Sequence, residues 1–281
     1  MTSAPPIVVA CDLDRTLIYS ANSMALDTND SDAPAMVVSE VYQGAPLSFM
    51  TAAAERMLES LAARTVFVPV TTRTVAQYER VRLPGPTPDF AITTNGGVIL
   101  LNGQPDASWR ADITRRSAAE CASLAEIERL VAPDEATRPW ILRIAHAEGL
   151  FCYAIVDREA MPEEYLEELR RECESRGWSV SVQGRKLYCI PNPVNKAVAI
   201  EEVRRRTGST IVLAAGDSLL DRDMLHQATS AFRPRHGELH DAGYVADNLT
   251  ITTARGIRAG EELLERLSAE VTERSAGVAH A

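Results

Sequence analysis

Two short apolar runs, roughly two hundred residues apart, each end on aspartates, and few folds accommodate both. Ile7-Val8-Val9-Ala10-Cys11 runs into Asp12-Leu13-Asp14-Arg15-Thr16-Leu17, and Ile211-Val212-Leu213-Ala214-Ala215 runs into Gly216-Asp217-Ser218-Leu219-Leu220-Asp221. Runs this short, apolar at every position, suit strands buried on both faces, as in a parallel sheet. The ends of such strands lie side by side along one edge, where open α/β folds bind ligands. Three or four carboxylates gathered there repel one another unless a cation joins them. Mg²⁺, a hard cation that takes oxygen ligands, is the natural candidate.

The bulk properties narrow the function classes. At 281 residues the chain is long enough for one large domain or two modest ones, and its 46% hydrophobic content is that of a globular protein. A net charge of -10 offers no basic stripe to a phosphate backbone, so nucleic acid is not an expected partner. No stretch reaches the length of a membrane span and the N-terminus lacks the form of a signal peptide, so no membrane partner and a cytoplasmic location are expected. Cys11, Cys121, Cys152, Cys173 and Cys189 are scattered without metal-type spacing and read as reduced thiols. Oligomeric state is not legible. Among the 29 basic residues only Lys186 and Lys196 are lysines, both within one short segment.

Along the chain, Ser20 to Ala35 reads as a polar loop or flap, followed by a strand at Met36 to Tyr42 and a helix from about Ser48 to Ala63. Thr65 to Val70 reads as a strand made awkward by Pro69 and ending in Thr71-Thr72-Arg73-Thr74, with a helix through Val75 to Tyr78 after it. Phe90 to Thr93, the turn Asn95-Gly96-Gly97 and Val98 to Leu101 form a hairpin signal. From about Gln104 the texture becomes α+β. It runs through a helix at Ala118 to Leu130, a hairpin turning at Glu148-Gly149, a helix at Glu163 to Arg176 and a strand at Trp178 to Val182. The α/β rhythm resumes at Leu187 to Ile190, with a helix from Lys196 to Arg206, the second aspartate run, a weak strand near Ile251, a helix from Ile257 to Leu267 and a short tail. The expected fold class is therefore α/β: a Rossmann-like parallel-sheet core over 1–103 and 188–281, interrupted by an α+β cap over 104–187.

Asp12-x-Asp14-x-Thr16, Thr71 at a strand end, Lys196 ahead of a helix and Gly216-Asp217-x-x-x-Asp221 resemble the four ordered motifs of the haloacid dehalogenase-like hydrolases. The position of the insertion is similar to that of the type-two (IIB) cap subfamily, which includes sucrose-phosphate phosphatases, trehalose-phosphate phosphatases, phosphomannomutases and the Cof-type sugar phosphatases. The resemblance implies a Mg²⁺-dependent phosphatase acting on a small phosphorylated metabolite, such as a sugar or polyol phosphate, through an aspartyl-phosphate. It implies Asp12 as nucleophile and Asp14 as general acid and base, with Thr71, the Thr72 amide and Lys196 holding the transferring oxygens. Metal ligands would come from Asp12, Asp217, the Asp14 main-chain carbonyl and Asp221. Thr72, Arg73, Asn95 and Ser218 are candidate substrate contacts, and Arg115, Arg116, Arg143, Arg185 and Lys186 are cap candidates. Arg15 stands where many relatives carry a small residue such as glycine, and Thr72 where glycine is frequent.

Other readings stay open at this level. Thr71 could cap a helix, Asp221 could serve a helix start, Arg73 could be tied in a salt bridge, and Asn95 could only make a turn. A phosphomutase uses the same aspartyl-phosphate, and a regulator binding a sugar phosphate without turnover would keep the same residues.

Overall fold

A computed structural model describes residues 6–132 and 138–278. Contacts divide the chain into two units: 1–105 with 196–281, and 106–195.

The first unit is built on an eight-stranded sheet. Its strands are β1 (Ile7–Asp12), β4 (Val66–Val70), β5 (Phe90–Thr93), β6 (Val98–Leu101), β7 (Gln104–Pro105), β12 (Ile211–Ala215), β13 (Ser230–Arg233) and β14 (Leu249–Ile251), in the order β14-β13-β12-β1-β4-β5-β6-β7. From β14 to β5 all neighbours are parallel, and the β5-β6-β7 meander turns antiparallel at the far edge. Every residue of β1 is buried, which is why it carries no alternation. Ile7, Val9 and Cys11 share a core with Leu58 and Leu61 of α1 (Ala52–Ala62) and with Leu263, Leu264, Leu267 and Val271 of α9 (Ile257–Val278). Ala54, Leu58 and Leu61 recur at helical spacing, so α1 lays one stripe on the sheet. Pro69 sits opposite Cys11 in the register with β1, while the β4–β5 ladder holds only Val70 against Ile92. The awkward proline is absorbed by shortening the pairing with β5.

Between β1 and α1 the chain forms a two-stranded hairpin, β2 (Met36–Tyr42) and β3 (Ala45–Thr51). Residues 48–51, expected in the helix, are strand. The Thr51 side chain accepts the Ala54 N–H at 3.0 Å and starts the helix only at Ala52. The helix expected at Ile257 to Leu267 continues to Val278, so the expected tail is helical through that residue, and its last three residues lie outside those described.

The second unit has the antiparallel sheet β10-β11-β9-β8, made of β8 (Ile141–Ala147), β9 (Phe151–Val156), β10 (Trp178–Gln183) and β11 (Lys186–Pro191). Its helices are α3 (Ala107–Glu120), α4 (Leu124–Val131) and α5 (Glu163–Glu174). The single helix expected over Ala118 to Leu130 is two. Cys121 is extended, and Ser123 caps α4 by accepting the Glu126 N–H, overriding the helical propensity of the alanines around it. Leu187 to Ile190, expected to reopen the core, pairs with both β10 and β9. Its partner is fixed by the two-residue turn Gly184-Arg185, so the second unit extends to Asn195.

A carboxylate cluster at the parallel-sheet edge

Strand register accounts for the cluster. Cys11 lies level with Ala215 of β12, so Asp12 ends β1 where Gly216 and Asp217 follow β12. Asp12 lies level with Val70 of β4, which brings Thr71 to the same edge. α6 (Lys196–Thr207) begins on Lys196, whose side chain is 1% exposed. Its ammonium donates to Asp12 Oδ1 at 2.7 Å and to Asp221 Oδ1 at 2.5 Å. The Thr16 hydroxyl donates to Asp12 Oδ2 at 3.2 Å. Asp221 Oδ2 accepts from the Ser218 N–H at 2.9 Å and the Ser218 hydroxyl at 2.8 Å. Ser218 thus braces Asp221, with its hydroxyl committed to that carboxylate.

Asp12, Asp217 and Asp221 are buried, and each offers a carboxylate oxygen within 4.8 Å of the others. One ammonium cannot neutralise three buried carboxylates. Burial pushes the Asp12 carboxyl above its ordinary range; Lys196 works against that shift, and Asp221 and Asp14 add to it. Asp217 is driven up in the same sense, first by burial and then by Asp12 and Asp221, with Arg15 and Lys196 opposing. Lys196 is held above its ordinary value because its two carboxylates outweigh the cost of its burial. Carboxylate oxygens gathered with more negative charge than one ammonium balances suit a hard divalent cation. The two glycines nearby are needed for room. A Cβ on Gly216 would run into the Asp221 side chain, and one on Gly237, at φ +88°, would land on the Asp217 carboxylate.

Asp14 is not one of the three. Its carboxylate is half exposed and is gripped by Arg73, with Nε to Oδ2 and the second terminal nitrogen to Oδ1, both at 2.7 Å. The third edge of the same guanidinium donates to Glu40 Oε2 at 2.8 Å. Arg73 is therefore tied in salt bridges. Thr71 does not cap the following helix: Thr74 does, in a capping box with Gln77 that opens α2 (Val75–Tyr78). The Thr71 hydroxyl oxygen instead accepts the Arg73 N–H at 3.2 Å, leaving its proton to donate elsewhere. Thr71 and Arg73 are laced to the end of β5, since Asn95 N–H donates to Thr71 O at 2.9 Å and Thr94 N–H to Arg73 O at 2.7 Å. Thr94 and Asn95 both lie at positive φ, so Asn95 makes the turn that allows this lacing. Thr72 is half-buried in the same loop.

Arg15 occupies the left-handed region at φ 63°, a costly place for any residue with a Cβ. Its N–H donates to Ile18 O, and its carbonyl accepts from His236 Nε2 at 2.8 Å. The tautomer follows from the other nitrogen, because Gly256 N–H donates to His236 Nδ1 at 3.1 Å. The Arg15 guanidinium reaches Asp217 loosely, at 3.7 Å. Glu40, His236 and Arg80 escape sequence reading. The available signal for Glu40 is a lone acid inside the strand Met36–Tyr42.

Among the cap candidates, Arg115 pairs with Asp112 and Arg116 with Glu120 on α3, Lys186 lies over the Tyr153 ring, and Arg143 and Arg185 are exposed. No described helix is long and apolar enough to cross a membrane, and all five cysteines are free thiols.

No protein-family model and no curated sequence matches this chain. Solved structures do. The sucrose-phosphatase of Synechocystis sp. PCC6803, solved with sucrose and phosphate, aligns at TM-score 0.67 and 15% identity over 94% of this chain and 99% of its own. The yhjK protein of Bacillus subtilis, a haloacid dehalogenase-like hydrolase, aligns at TM-score 0.52 and 17% identity over 95% and 93%. BT4131, described as a subclass IIB sugar phosphatase, aligns at 0.51 and 11% over 93% and 98%. The chain has the fold of these haloacid dehalogenase-like proteins: a large parallel-sheet core with a separate antiparallel sheet.

Proposed function

We propose that this protein is a Mg²⁺-dependent phosphatase that hydrolyses a small phosphate monoester, a sugar or polyol phosphate, through an aspartyl-phosphate. The observation that carries the proposal is the buried Asp12–Asp217–Asp221 cluster braced by Lys196, with Asp14 standing outside it on an arginine fork. The sugar-phosphate assignment leans on the printed substrates of the sucrose-phosphatase and of the subclass IIB sugar phosphatase.

Asp12 Oδ1 is held by Lys196, so Oδ2, held among the described residues only by the weaker Thr16 bond, is the attacking oxygen. It bonds to phosphorus as the bond to the leaving oxygen breaks, and Asp14 delivers a proton to that oxygen. Water then attacks phosphorus and gives its proton to Asp14, the bond to Asp12 breaks, and inorganic phosphate departs. The Thr71 hydroxyl, the Thr72 amide and Lys196 hold the phosphoryl oxygens. Mg²⁺ would be held by Asp12, Asp217 and the Asp14 carbonyl, with Asp221 beside them, and would offset repulsion between two anions. A phosphate-release screen over a broad ester panel, with and without Mg²⁺, tests the reading. Release is expected with Mg²⁺ alone and is lost in Asp12→Asn; release that survives the substitution sinks the mechanism.

A further inference from the structure

The hairpin between β1 and α1 has no part in the chemistry above, yet it carries a fully buried charge. Glu40 is 0% exposed. The β2–β3 register shifts on both sides of it, between Val38 and Glu40 and again between Glu40 and Val41, and such bulges re-aim a side chain. Three donors converge on it: Arg73 at 2.8 Å, Arg80 Nε at 3.0 Å and the Ser48 hydroxyl at 3.1 Å. The main chain ties the same region together, since Arg82 N–H donates to Ser39 O at 2.6 Å and Glu40 bridges to Val81. Burying an ion group of this size is a poor way to gain stability, since apolar side chains of like volume commonly serve as well.

Geometry supplies another purpose. A guanidinium is a rigid plane, and Arg73 uses one edge on Glu40 and the adjoining fork on both oxygens of Asp14. With the Glu40 edge fixed, the plane cannot turn, and the Asp14 carboxylate is held in one orientation. The Arg73 fork is the only side-chain grip on Asp14 among the described residues. We propose that Glu40 is a positioning residue for proton transfer by Asp14, acting through Arg73. The proposal rests on the phosphatase reading, and it makes the hairpin part of the acid's scaffold.

Proton delivery matters only where the leaving oxygen departs badly. As the phosphorus–oxygen bond breaks, its electron pair stays on that oxygen. An alkoxide must be protonated at once, whereas p-nitrophenolate is stable without a proton. The test therefore compares an alkyl phosphate with p-nitrophenyl phosphate in Glu40→Gln, which keeps the side-chain volume and removes the charge. Asp14 also takes the proton of the attacking water, a step common to both esters, so the comparison is made on kcat/KM, which ends with departure of the alcohol. Expected is a fall of roughly 10- to 100-fold on the alkyl ester, a fraction of what a general acid contributes. On p-nitrophenyl phosphate the fall should stay below about threefold. Asp14→Asn should show the same selectivity more strongly, and adding Glu40→Gln to it should cost nothing further on the alkyl ester.

Should Glu40→Gln fold poorly, Arg80→Gln serves, because Arg80 touches Glu40 and should give a weaker loss of the same selectivity. Equal losses on both esters, in variants that melt like wild type, would overturn the proposal and leave the phosphatase reading standing. A wild type that hydrolyses neither ester, nor any other in the panel, would remove both.

Discussion

His236 shows how one side chain can register pH for the strained loop beside the cluster. Its Nε2–H holds the Arg15 carbonyl and its bare Nδ1 receives the Gly256 amide, an arrangement that only the neutral ring can make. Burial, foremost, lowers its pKa from 6.5 to about 4; the Arg15 carbonyl resists that shift and the Arg15 charge reinforces it. A base with a depressed pKa in the folded state binds fewer protons there than in the unfolded chain. Its contribution to stability is whole above 6.5 and is lost as pH falls toward 4, by up to about 3 kcal/mol. Asp12 and Asp217 act in the opposite sense, since their raised values favour the folded state as acid is added. The difference between variants isolates the ring. In His236→Gln, the urea-denaturation stability at pH 4 relative to that at pH 6.5 should lie above the wild-type difference, by up to about 3 kcal/mol. Parallel stability curves would show that the imidazole does not titrate with unfolding.

At the level of elements, caps and turns decide what periodicity leaves ambiguous. Thr51 ends β3 and starts α1 in one residue, through the bond its side chain accepts from Ala54. Thr51→Ala should lower stability by about 1 kcal/mol, read as a shifted urea midpoint with an unchanged slope. An unshifted midpoint would mean that tertiary packing alone sets that boundary. The same residue explains one limit of sequence reading. Ser48 to Thr51 carries the small and apolar residues of a helix start, and pairing with β2 on one side and Tyr19 on the other makes it strand. The core strands β1 and β12 are legible because an unbroken apolar run has few other uses. β11 is equally apolar but sits in an antiparallel sheet, and its partner depends on a tight turn rather than on its own residues. At the cluster, Asp12, Asp217 and Lys196 can be located because an apolar run, or the scarcity of lysines, singles them out. Glu40 cannot, since nothing in the chain says which of its carboxylates will meet an arginine 33 residues away.

For the whole molecule, the sheet order has a consequence in time rather than in space. β1 is flanked by β4 and β12, and the register sets Ile7 against Ile211. A ribosome adding 5–20 residues per second needs about 10–40 s to make the roughly two hundred residues between them. Throughout that interval one edge of a strand that is apolar on both faces has no partner, an invitation to wrong pairing. The unit spanning 106–195 is continuous, so all of its strands exist before the core can close. A nascent chain stalled after residue 195 should therefore show protease resistance within 106–195 and cleavage within 1–105, and resistance should spread to both once synthesis passes β12. Uniform cleavage of the stalled chain would argue that neither unit folds ahead of the other. The carboxylate-bearing edge would be the last part of this protein to come into being, and cells making it quickly would depend on something to shelter β1 until then.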